Sequence, residues 1–155
     1  RTSGWHGALM GVDYSTLSIA LAEQISATSY PDANIHFHEW DVLNGPLSKV
    51  CSAETSTEQG WDVVLDKGTF DAISLAEETD AQGRRIAEGY KGRVLQLLKD
   101  QGLFLITSCN WTEEELRAWF VDDGAFEEVG RVRYRTFSFG GVKGQTISTV
   151  CFRKV

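Results

Sequence analysis

Four short strand-like runs, each closing on a polar or acidic residue, limit what this chain can fold into more than any other feature. They occupy residues 8–12, 34–40, 61–65 and 103–106, and the first three end at Asp13, Asp41 and Asp66. Runs of this length, bounded by polar residues, read as strands. The fourth is the most hydrophobic and nearly continuous, a pattern that predicts burial on both faces, as in a parallel sheet.

Helical signals separate the strands. Ser15 offers a cap, and Leu17, Leu21 and Ile25 recur at spacing four, predicting one buried helix face through about residue 27. Tyr30-Pro31-Asp32 closes that helix, because proline cannot continue it. Ile86, Tyr90, Val94 and Leu97 predict a longer helix within residues 81–99, broken by Gly102. Thr112-Glu-Glu-Glu115 is a capping box opening a third helix, with Leu116, Trp119 and Phe120 toward the core and Gly124 at its end. Residues 44–60 hold few large apolar groups and read as a loop with one helical turn near 47–51. Residues 129–139 and 145–153 are rich in β-branched and aromatic side chains and predict an antiparallel hairpin, joined by Gly140-Gly-Val-Lys-Gly144.

Alternating strands and helices imply an α/β fold with a mostly parallel sheet and helices on both faces. With 155 residues, 42% of them hydrophobic, the chain is long enough for one cored domain, expected over residues 1–155. The net charge of −7 argues against nucleic-acid binding, which needs a surplus of cations to neutralise phosphates. No apolar run is long enough to span a membrane. Three scattered cysteines fit a reducing compartment, and a cytoplasmic location is expected. His36 and His38 share a strand face with no cluster to complete a metal site, so no metal is expected. Cys109 has no histidine nearby to activate it and reads as a small buried strand residue.

Ligands of such sheets bind at the carboxyl ends of the strands. Asp13-Tyr14-Ser15, Asp41-Val42, Asp66-Lys67-Gly68 and Asn110-Trp111-Thr112 all follow strands and converge on that edge. A carboxylate placed as Asp13 is can accept from both hydroxyls of a ribose, in a nicotinamide or an S-adenosylmethionine enzyme alike. It can equally start a turn, and Asp41 can equally sit in an Asx-turn. Asp66 can merely cap the turn after its strand. Trp111 can pack beneath the last helix or line a channel.

Three strings resemble the lysine methyltransferases of eukaryotic elongation factor 1-alpha. They are Gly11-Val-Asp-Tyr-Ser15 with Ser18-Ile19 and Leu21-Ala22, then Val64-Leu-Asp-Lys-Gly-Thr-Phe-Asp-Ala-Ile-Ser-Leu75, and Gly102-Leu-Phe-Leu-Ile-Thr-Ser-Cys-Asn-Trp-Thr112. The resemblance implies a Rossmann-like methyltransferase sheet with a C-terminal antiparallel hairpin, and S-adenosylmethionine as cofactor. It implies that Asp13 holds the cofactor ribose with Tyr14 packing nearby and Ser15 among the cofactor-binding residues, and that Asp41 and Val42 border the adenine. Asp66 and Lys67 would lie beside the methionine part and the target lysine, with Asp66, Asn110 and Trp111 as the catalytic set. The implied partner is elongation factor 1-alpha. The family's first strand and glycine-rich loop are absent, so roughly 30 to 60 further residues are expected upstream of Arg1. A non-catalytic remnant of the same fold and a nicotinamide-dependent enzyme are the competing readings.

Overall fold

The computed structural model describes residues 7–51, 60–135, 137–139, 142–144 and 146–155. The chain forms two compact units, Arg1–Glu58 and Gln59–Val155.

Among the described residues, the first unit holds β1 (Leu9–Asp13), α1 (Thr16–Ser29), β2 (Ile35–Glu39) and a 3-10 turn at Leu47–Lys49. The two strands pair in parallel, Asp13 opposite Glu39, which brings their carboxyl ends side by side. Ser15 caps α1 as expected, its side chain accepting from the Ser18 amide at 3.3 Å. Trp40 is buried, and its indole donates to the Pro46 carbonyl at 3.0 Å, pinning the 3-10 turn. One expectation fails. Leu17, Leu21 and Ile25 are 83%, 58% and 50% exposed, and α1 buries no residue. Ile19, Ala22 and Ser26 are the half-buried positions of the helix instead. Spacing of apolar residues marks a stripe suited to burial, but two short strands cannot enclose a helix, so the larger side chains stay in solvent.

In the second unit β3 (Trp61–Lys67), β4 (Leu98–Ser108), β8 (Ser148–Lys154) and β5 (Phe126–Val132) lie in that order across one sheet. β3 and β4 are parallel, while β8 is antiparallel to both β4 and β5. The expected terminal hairpin is therefore present as β5 and β8, with short strands β6 (Phe137–Phe139) and β7 (Val142–Gly144) paired between them. Gly140 and Gly141, in the expected glycine turn, lie outside the described residues, as do Trp5, His6 and residues 52–59 of the expected 44–60 loop.

Three helices serve this sheet: α2 (Thr69–Leu75), α3 (Ala87–Leu97) and α4 (Glu113–Val121). The capping box of α4 forms as predicted, Thr112 Oγ1 accepting from the Glu115 amide while the Glu115 carboxylate accepts from the Thr112 amide at 2.8 Å. Phe70 of α2, Tyr90 of α3 and Phe120 of α4 meet Phe104, Phe126 and Phe152 of the sheet in one aromatic core, neighbouring ring centroids lying 5.2 to 6.5 Å apart. All three helices thus share one face of the sheet.

Within this unit the burial of β4 is one-sided, against the two-sided burial expected from its sequence. Phe104, Ile106 and Ser108 are buried, whereas the alternating Leu103, Leu105 and Thr107 are only half-buried. A continuous apolar run permits two-sided burial but does not supply the second layer. Gly102 also works differently from the prediction. The helix has already ended at Leu97, and Gly102 is required by a close approach: a Cβ there would lie 2.8 Å from the Lys99 carbonyl and 3.1 Å from that of Trp61.

Candidate functional site

In the first unit the strand-end residues expected to hold a nucleoside are adjacent. Asp13 is half-buried and its Oδ1 accepts from the Ser15 amide at 2.8 Å, so the turn reading and the strand-end reading are both satisfied. Among the described residues its other oxygen has no partner. Tyr14 is 80% exposed, a free aromatic face beside that carboxylate. Asp41 is exposed; Oδ1 accepts from the Leu43 amide at 2.8 Å and Oδ2 from the Asn44 side chain at 3.0 Å, the geometry of an Asx-turn. Val42 beside it is half-buried. A cleft of about 360 Å³ also opens in this unit, lined by Glu23, Tyr30, Ile35, His36 and His38, and by neither Asp13 nor Asp41.

In the second unit the parallel register sets Asp66 beside Ile106 and Lys67 beside Thr107, so both strands deliver their next residues to the same edge. Asp66 is 6% exposed. Its Oδ1 accepts from the Thr69 amide at 2.9 Å, and its Oδ2 from the Phe70 amide at 3.0 Å and from the Tyr90 hydroxyl. Burial pushes its pKa above the usual carboxylate value, although the Tyr90 hydroxyl and the two amides pull the other way. Tyr90 is held well above the ordinary tyrosine range, first by burial and then by the Asp66 charge. Asp66 is thus the cap of α2 and its tie to α3. Lys67 stands exposed, and Gly68 takes a φ of 87°, a left-handed turn that suits glycine.

The turn after β4 carries Cys109 and Asn110, both exposed, and half-buried Trp111. Cys109 is therefore not the buried strand residue the sequence suggested, because β4 stops at Ser108. Trp111 packs against Phe70 and, nearly edge-on at 5.9 Å, against Trp119 of α4. Its indole donates to Ser74 Oγ at 2.8 Å.

Sequence reasoning missed α2 altogether, and with it Asp71 and Ser74, which are both buried. A signal was present: Asp66 precedes Thr69 at cap-like spacing, and Phe70, Ile73 and Ser74 fall on one helical face. Seven residues are too short a window for periodicity to stand out.

The sequence profile described as "Methyltransferase domain" matches residues 1–140. The chain belongs to the methyltransferase domain family. It is 40% identical over 145 residues to "Protein-lysine N-methyltransferase efm4" of Schizosaccharomyces pombe, covering 94% of this chain and 57% of that protein. It is 37% identical over 147 residues to human "EEF1A lysine methyltransferase 2", covering 95% of this chain and 56% of that protein. The chain thus spans less than two thirds of the curated relatives it matches. Among solved structures it resembles the N-methyltransferase NodS of Bradyrhizobium japonicum in complex with S-adenosyl-l-homocysteine, with a TM-score of 0.60 at 14% identity, over 95% of this chain and 66% of that one. The Rossmann-like methyltransferase fold expected from the sequence is the fold observed. Among the described residues, no helix is long and apolar enough to cross a membrane.

Proposed function

We propose that the whole protein transfers methyl groups from S-adenosylmethionine to a lysine of elongation factor 1-alpha, in the cytoplasm, with no direct role for nucleic acid. The observation that carries this reading is the 35–40% identity, over 94–97% of this chain, to relatives named as protein-lysine or EEF1A lysine methyltransferases.

The donor set suits the cofactor. Asp13 keeps an oxygen for a ribose hydroxyl, the turn it makes with Ser15 holds that carboxylate still, and Tyr14 offers a ring for packing. Asp41 and Val42 are assigned to the adenine, a carboxylate able to accept from an exocyclic amine beside an apolar side chain. From the second unit, Lys67 is assigned to the methionine part, and Asn110 and Trp111 to the wall around the incoming lysine. Asp66 serves this edge by fixing the Thr69–Phe70 backbone, whose two amides donate to it, and by placing a carboxyl group behind it.

When bound, S-adenosylmethionine supplies a methyl carbon activated by a sulfonium. The residues of the chain must then present a neutral amine to it. A free lysine with a pKa of about 10.4 is neutral in only about one molecule in 2,500 at pH 7, so the wall must desolvate the ammonium or pass its proton to an acceptor. Trp111 removes water, the Asn110 amide can accept from the amine, and alignment of the two reactants does the rest.

Incubation of the whole protein with methyl-labelled cofactor and purified elongation factor 1-alpha tests the reading. Label on a lysine of the factor is the expected result. Label found only on nucleic acid or small molecules, or none on any protein, overturns it.

A further inference from the structure

We propose that Asp71 is a positioning residue for the methyl acceptor, holding the turn that carries Asn110 and Trp111 in one shape from below. The assignment rests on the lysine methyltransferase reading and adds to it a residue that does not itself reach the edge.

The turn after β4 has no regular structure, so something other than a ladder must fix it. A closed set of hydrogen bonds does so. Asp71, in the first turn of α2, is 8% exposed; its Oδ1 accepts from the Ser108 hydroxyl and its Oδ2 from the Cys109 amide at 2.9 Å. Ser108 Oγ in turn accepts from the Asn110 amide at 3.1 Å and from the Trp111 amide at 2.9 Å. A hydroxyl has one proton and two lone pairs, and all three are used here. Ser74, one turn further along α2, closes the ring: its Oγ accepts from the Trp111 indole at 2.8 Å and donates to the Asp71 carbonyl at 3.1 Å. Three consecutive amides and one indole of the turn thus end on two buried residues of a single helical turn, directly or through Ser108.

The pattern of donors explains why the residue is an acid. Every group facing the Asp71 side chain donates, and a carboxylate only accepts. Asparagine in its place has the same shape and one acceptor too few. With its NH2 toward Cys109 it meets an N–H. With its NH2 toward Ser108 it meets an oxygen whose two lone pairs are already taken. Either way one bond between the turn and α2 is lost in a buried place, and the turn that carries Asn110 and Trp111 is held less firmly.

The test is Asp71→Asn in the whole protein, beside Ser74→Ala, which removes the acceptor of the indole and the bond to the Asp71 carbonyl but leaves the Asp71 carboxylate in place, and Phe126→Leu as a control in the core of β5. If Asp71 positions the acceptor wall, Asp71→Asn raises KM for the lysine-bearing protein or lowers kcat by about 10- to 100-fold, the range a misplacement of about 1 Å produces. Cofactor affinity by calorimetry stays at the wild-type value. Ser74→Ala moves in the same direction by less, and the Trp111 indole N–H resonance shifts in both. Phe126→Leu, even at an equal loss of thermal stability, leaves these values at wild type. The proposal is overturned if Asp71→Asn changes activity no more than Phe126→Leu does, or if its cofactor affinity weakens along with the KM for the lysine-bearing protein. If the wild-type protein methylates no lysine, the broader reading has failed. The indole resonance still decides Asp71: unchanged in Asp71→Asn, it removes the positioning role.

Discussion

Both units place acidic residues at the carboxyl ends of parallel strands, yet they reach that arrangement by opposite means. In the second, Asp66 and Asp71 are buried, each of their oxygens accepts a hydrogen bond, and six aromatic rings lie packed behind them. In the first, Asp13 and Asp41 accept from the turns that follow them, and the apolar stripe of the neighbouring helix faces solvent. A strand-helix-strand segment can therefore define the backbone around a carboxylate without a core. Positioning a side chain through another side chain requires one. The contrast predicts where order is expensive to lose, and substitutions in matched pairs can break it.

The largest difference should come from the packed rings. Phe104 is fully buried and touches Tyr90, Phe120, Phe126 and Phe152. Phe104→Ala should destabilise the second unit by about 3–5 kcal/mol, through lost transfer energy and the cavity left behind. Leu21→Ala, at a position 58% exposed, should change stability by no more than about 0.5 kcal/mol. Urea unfolding followed by hydrogen exchange reads both. Amides of β4 should exchange only on global opening and those of α1 far sooner; equal protection in the two would erase the distinction drawn here.

How much of this the sequence carried follows the same line. Local chemistry was legible. Ser15 and the Thr112–Glu115 capping box are where the residues said, because a cap is decided within four residues. The paired strands β5 and β8 were legible too, from β-branched and aromatic content. What failed was everything that depends on a second layer: the exposed Leu17, Leu21 and Ile25, and the half-buried Leu103 and Leu105. Periodicity states which side of an element can be covered, and nothing about whether it is. In the candidate site, Asp66 was singled out for its place after a strand, while its bond to Tyr90, 24 positions away, could not be read from spacing. Asp71 and Ser74 were missed because their partners lie 37 to 38 residues along the chain.

An intermediate effect is expected at the buried carboxylate. Asp66→Asn places an amide donor against backbone amides and should cost about 1–3 kcal/mol, the usual range for a buried group left without its partner. Asp13→Asn, which keeps an acceptor for the Ser15 amide, should leave stability unchanged. The pH trend sharpens the contrast. Asp66 binds its proton more tightly folded than unfolded, so its contribution is complete below the ordinary carboxylate value of 3.8 and is lost as pH rises through the raised folded value. The gap between wild type and Asp66→Asn should therefore be widest in acid and narrow toward neutrality. Denaturant midpoints measured across that range, with a gap that widens with pH instead, would show that Asp66 is stabilised as the anion.

The smallest effect concerns how each unit ties a helix to its neighbouring strand by one carboxylate. Glu128 on β5 receives Arg117 of α4 through both oxygens, one contact at 3.2 Å, and the pair is about three quarters buried. Glu39 on β2 accepts from the Thr16 hydroxyl of α1 at 2.9 Å, at an exposed position. A two-pronged contact to a guanidinium keeps its geometry better than a single contact to a hydroxyl, but solvent still screens both. Glu128→Gln should cost no more than about 1 kcal/mol, and Glu39→Gln nothing measurable. Here the pH trend opposes that of Asp66. The Arg117 hydrogen bond holds Glu128 below its usual value of 4.5, so its contribution is present above that pH and is lost as pH falls through the folded value. The gap between wild type and Glu128→Gln should accordingly be widest near neutrality, shrink in acid and shrink again with added salt. Two carboxylates of one unit would then titrate with opposite signs, one because burial governs it and the other because a cation does. A gap for Glu128→Gln that ignored both pH and salt would assign the contact to packing of the arginine stem, and not to charge.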